Sequence, residues 1–144
     1  AALVARLVDR VSGRARVDRV GGDDALAARA AALADRHLDG VRPASITWSS
    51  RMRRRWGSCT PAEGTIRISR ALAAFPDWVL DYVLVHELAH LVEPGHGAAF
   101  HALVDRYPHA ARARGFLEGV QFADARHDPE ASSSSSPSSS SPVD

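Results

Sequence analysis

A chain of 144 residues with 45% hydrophobic and 24% charged side chains has the composition of a protein that buries one core, which excludes a chain unfolded throughout. Its one cysteine excludes an intramolecular disulfide, and its 18 basic residues are all arginine, which excludes Schiff-base chemistry on a lysine amine. A formal net charge of +1 does not by itself announce a nucleic-acid or membrane surface.

Leu3, Val4, Leu7, Val8 and Val11 recur at helical spacing and predict a short amphipathic helix, followed by an arginine- and glycine-rich linker from Gly13 to Gly22. The N-terminus shows none of the charged, apolar and small-residue regions of a secretory signal, so a cytoplasmic location is expected. Asp23 and Asp24 are placed to cap a second helix, which runs to about Leu38 and stops at Gly40. From Pro43 the texture changes. Ser45 to Trp48, Arg55 to Cys59 and Gly64 to Ser69 are strand-like runs separated by turn-forming Pro61 and Gly64, and they predict a small antiparallel sheet. Ile66 and Ile68 alternate with polar neighbours, so one face of the last strand is buried and the other wet.

Pro76 and Asp77 open a strongly apolar helix, Trp78 to Val92, which is the central helix and the partner on which the sheet packs. Asp81 interrupts its most apolar stretch, and no run approaches the roughly 18 residues that cross a bilayer. Pro94 disfavours helical geometry at Glu93 and Gly95 permits a left-handed turn, so the pair ends the helix. A helix from about Ala98 to Arg106 presents Phe100, Leu103, Val104 and Tyr107, and a last short helix spans about Ala110 to Leu117. Ser132 to Ser141 is serine broken by a single proline, with nothing to bury, and predicts a disordered tail. The expected organisation is a helix and linker over residues 1–22, an α+β domain over 23–127 and the tail over 128–144.

His86-Glu87-Leu88-Ala89-His90 carries the strongest chemical signal. Residues four apart lie on one helical face, so both imidazoles can reach one zinc ion. Glu87 then sits beside the open coordination position, where it can take a proton from metal-bound water whose pKa zinc lowers to around 7. Such a pattern also arises by chance on solvated helices. Here the surrounding helix is apolar enough to be buried, and burying two histidines and a glutamate without partners is costly. For the third ligand His96 is favoured, since Pro94 and Gly95 let the chain fold back; Glu93 shares the helical face but lies about a turn further along, roughly 5.4 Å. His37, His101, His109 and His127 read as structural or surface residues, with His101 the nearest exception, and Cys59 reads as a small buried hydrophobe.

Arg55-Trp56-Gly57-Ser58-Cys59, Gly64 to Ser69, Leu80 to Leu91, and His96-Gly97 followed by Phe100 together resemble the YgjP-like metallopeptidase domain, with a more distant likeness to SprT-type proteases, over about residues 42 to 118. The resemblance implies a zincin-like core, a short sheet beside a metal-bearing helix, with zinc ligands on His86, His90 and His96 and the catalytic glutamate on Glu87. The chain departs from the family where His101 stands in place of a common tryptophan, and where helices stand in place of a longer β-rich N-terminal region. Trp56 reads as a core anchor and Gly57 as a close-approach or turn position; alternatively, their strand edges the active cleft and holds an extended peptide by strand addition.

Zinc-dependent peptide hydrolysis is the leading expectation, with a polypeptide substrate and with His101 or Tyr107 as candidate oxyanion donors. A metal-dependent nucleoside triphosphate hydrolase is the alternative, because Arg51, Arg53, Arg54 and Arg55 suit phosphates, although three imidazoles favour zinc over the magnesium such chemistry recruits. A third alternative is a metal-stabilised module that binds protein or single-stranded DNA through the same arginines. Against it, the motif offers three ligands and a base, not the closed set of four that marks a structural zinc site.

Overall fold

The computed structural model describes residues 21–52 and 54–127. The predicted N-terminal helix, most of the linker, Arg53 and the serine-rich tail lie outside the described residues. The fold is α+β. In chain order it comprises α1 (Asp23–His37), β1 (Ser45–Ser49), β2 (Gly57–Thr60), β3 (Thr65–Ser69), a 3-10 turn (Arg70–Ala74), α2 (Asp77–Ala89), α3 (Ala98–Val104) and α4 (Ala110–His127).

Leu26, Ala30, Leu33 and Ala34 form the buried stripe of α1, at the helical spacing that lets one face meet the core. The N-cap residue is Gly22, and no side chain caps it. Asp23, expected as the cap, instead accepts a 2.9 Å hydrogen bond from the backbone N–H of Trp48 and so ties α1 to β1. At the other end Gly40, with φ of +80°, donates to the carbonyl of Ala34 and closes the helix as predicted.

The sheet is mixed, not antiparallel. Its order is β1-β3-β2, with β2 antiparallel to β3 (Gly57 opposite Ile68, Thr60 opposite Thr65) and β1 parallel to β3 (Ser45 opposite Thr65, Ser49 opposite Ser69). The physical reason is burial: β3 is the most buried strand, with Ile66 and Ile68 both 0% exposed, so it takes the centre and inserts between its two predecessors. The pattern of alternation reports which face of a strand is buried; it does not report the neighbour on each edge.

Helix α2 is buried around almost its whole circumference, from Val79 to Ala89, and packs against α1, α3, α4, β2 and β3. Beyond Ala89 the backbone tightens: His90, Leu91 and Val92 donate to the carbonyls three residues back, at Glu87, Leu88 and Ala89. The helix therefore ends earlier than predicted, and by a 3-10 turn. Gly95 is not left-handed. Helix α4 runs ten residues past the predicted Leu117: Val120 continues the half-buried stripe, and Gly115 and Gly119 lie in open space on its surface without ending the helix. No helix among the described residues is long and apolar enough to cross a membrane.

Candidate metal centre

His86 and His90 stand one turn apart on the same face of α2, which brings their ring centroids to 5.2 Å. Because the chain leaves α2 through the 3-10 turn and re-enters a helix at Ala98, the loop between brings the His96 ring to 4.6 Å from that of His90 and 6.0 Å from that of His86. One nitrogen from each of the three rings lies within 4.8 Å of the others. Ligands around a tetrahedral ion at ordinary zinc–imidazole distances stand roughly 3.4 Å apart, so the rings need close by no more than about 1.4 Å. His86 and His90 are buried and His96 is exposed, so this cluster has two fixed members and one on its outer side.

The proton on His90 is fixed by its surroundings. Its Nδ1 lies 3.1 Å from the carbonyl oxygen of Glu93, and a carbonyl only accepts, so Nδ1 carries the hydrogen and Nε2 the lone pair. Glu93 thus contributes its backbone to the cluster. Glu87 is 0% exposed, and its Oε2 lies 3.4 Å from Nδ1 of His86. Over it runs β2: a Cβ on Gly57 would come within 3.0 Å of Glu87 Cγ and Val83 Cγ1 and 3.1 Å of Glu87 Oε2. Gly57 is a close-approach position, where the missing side chain is what lets the strand lie on the glutamate.

Two neighbours went unnoticed in the sequence. Tyr82 is buried four residues before His86, on the same helical face, and its ring stands at 6.0 Å from the imidazole. Arg114 on α4 hydrogen-bonds Tyr82, and this bond is the main cause that holds its guanidinium above the usual pKa. The i, i+4 spacing of Tyr82 and His86 is a signal that was legible in the sequence; the reach of Arg114 from another helix was not.

Other candidates fall elsewhere. Tyr107 donates its hydroxyl to the carbonyl of Trp78 at 2.9 Å, eight residues before His86 and thus about 12 Å up the helix axis, so it is not brought to the histidine cluster. His101 is exposed, with its ring 5.5 Å from that of Phe100. His37 and His109 pack edge-on against Tyr107, and burial lowers the His37 pKa. The His127 side chain lies outside the described part. Cys59 packs partly buried against the core. Trp56 anchors against Phe75 at 5.5 Å, and Arg51, Arg54 and Arg55 are exposed between β1 and β2.

The sequence model of the YgjP-like metallopeptidase domain matches residues 22–118, about two thirds of the chain and the whole of this cluster. The chain belongs to that family. Neither the curated proteins nor the solved structures give a match. Family membership makes this YgjP-like domain a metal-dependent peptidase in general terms, and the three clustered imidazoles are a group that can hold the ion.

Proposed function

We propose that this YgjP-like domain hydrolyses peptide bonds with a zinc ion held by His86, His90 and His96 and with Glu87 as the catalytic base. The observation that carries the reading is the convergence of three imidazole nitrogens within 4.8 Å beside a fully buried carboxylate. Three neutral imidazoles suit zinc better than the oxygen-seeking magnesium or calcium. When bound, zinc polarises a substrate carbonyl and acidifies water at the remaining position. Glu87 then receives the proton of the attacking water and returns it to the departing amine. Burial under β2 holds the carboxylate in one place, so little reorganisation accompanies the transfer.

A polypeptide is the substrate class. The edge strand β2 lies directly over Glu87, and its outer backbone groups supply a rail for an extended chain. The test is metal content and hydrolysis of a peptide library, measured side by side. Glu87→Gln is expected to keep its metal and lose turnover by about a hundredfold or more; unchanged hydrolysis in that variant contradicts the proposal.

A further inference from the structure

We infer that Phe100 is the positioning residue that holds the three imidazoles in a metal-ready arrangement; the inference rests on the proposed assignment of His86, His90 and His96 as ligands. Phe100 is 1% exposed and lies on the first turn of α3, four residues after His96 in the chain. Its ring meets all three imidazoles. It stacks nearly parallel on His90, at 4.2 Å and 14°, and meets His86 at 4.8 Å and 78° and His96 at 5.2 Å and 74°.

The histidines need such a common rest because they arrive from different supports. His86 and His90 ride at the end of α2, but His96 is exposed and sits on the loop between the two helices. A flat ring packed against that imidazole limits its rotation, and preorganised ligands lose less freedom when an ion binds. For His90 the restraint is doubled, since the ring face lies on Phe100 while Nδ1 is held by the Glu93 carbonyl. Stacking also gains from metal binding: an imidazole that donates to a dication becomes electron-poor, and the negative face of a phenyl ring attracts it more strongly. Leucine fills much of the same volume without a face to stack on.

The experiment is zinc affinity, measured by competition with a chromogenic chelator on the full chain, with cobalt absorption as a second readout of ligand geometry. Phe100→Leu is expected to weaken zinc binding by about 10–100-fold and to alter the cobalt spectrum, the effect typical of losing a residue that orients ligands. Phe100→Tyr, which keeps the ring, is expected to stay within about threefold of wild type. Val104→Ala controls for general loosening: Val104 is equally buried on the same helix and its loss is expected to change affinity by less than about threefold. Wild-type affinity in Phe100→Leu overturns the inference, as does an equal loss in Val104→Ala or in Phe100→Tyr. A wild-type protein that takes up no zinc overturns the ligand assignment itself, an outcome distinct from binding that is indifferent to Phe100.

Discussion

Replacing Gly57 with alanine puts a methyl carbon 3.0 Å from Glu87 Cγ, 3.0 Å from Val83 Cγ1 and 3.1 Å from Glu87 Oε2. Carbon atoms rest at about 3.5–4.0 Å, so the neighbours must yield by a few tenths of an ångström. Neither has room, since Val83 and Glu87 are completely buried. Overpacking of this kind costs about 1–3 kcal/mol, which for a domain of this size lowers the melting temperature by some 4–8 °C per kcal/mol. The same change in α4 has the opposite sign. Gly115 and Gly119 have open space where a Cβ would go, and alanine there is expected to stabilise by up to about 1 kcal/mol through helix propensity. Urea denaturation of the three single variants gives the comparison, read as shifts in midpoint at constant slope. A Gly57→Ala protein as stable as wild type would refute the reasoning, because the strand would then not lie on the glutamate as described.

Two further outcomes follow from tertiary ties. Tyr107→Phe removes the 2.9 Å bond to the Trp78 carbonyl at a cost of about 0.5–1.5 kcal/mol near neutral pH. It also changes the alkaline limb of stability. Burial, reinforced by Asp81 and opposed by Arg29, pushes the Tyr107 hydroxyl up to about 12, so the folded protein keeps a proton that the unfolded chain sheds near 10. Stability from this group is complete below about pH 10 and is lost as pH rises toward 12. Denaturation midpoints at about pH 9 and about pH 11 should therefore fall less steeply in Tyr107→Phe than in wild type; parallel slopes would contradict the assignment. Asp23→Ala strands the N–H of Trp48 and is expected to cost about 1–3 kcal/mol, with Asp23→Asn milder because it keeps an acceptor; a loss under about 0.5 kcal/mol for alanine would show that the tie between α1 and β1 contributes little.

The histidine cluster was legible because its geometry is local. The four-residue step from His86 to His90 and the short return to His96 need only the pitch of a helix and its end. What ends the helix was misjudged: Pro94 and Gly95 looked decisive, but the backbone has already tightened at His90, and that tightening places the Glu93 carbonyl against the imidazole. Features that depend on distant segments stayed hidden. The strand-like runs were readable, whereas the insertion of β3 between β1 and β2 was not. Gly57 was recognisable as a position that something approaches closely, but only the fold shows that this is Glu87. Tyr107 looked available to the chemistry until α3 and α4 carried it to the opposite end of α2.

The most direct test of the central claim is the metal content of the purified chain, measured by elemental analysis for wild type, His96→Ala, Glu93→Ala and Glu87→Gln, with peptide hydrolysis recorded on the same samples. The account predicts about one zinc per chain in wild type, Glu93→Ala and Glu87→Gln, loss of the metal in His96→Ala, and loss of hydrolysis in Glu87→Gln. Wild-type protein that remains free of zinc after reconstitution, or His96→Ala protein that binds it as well as wild type, would contradict it.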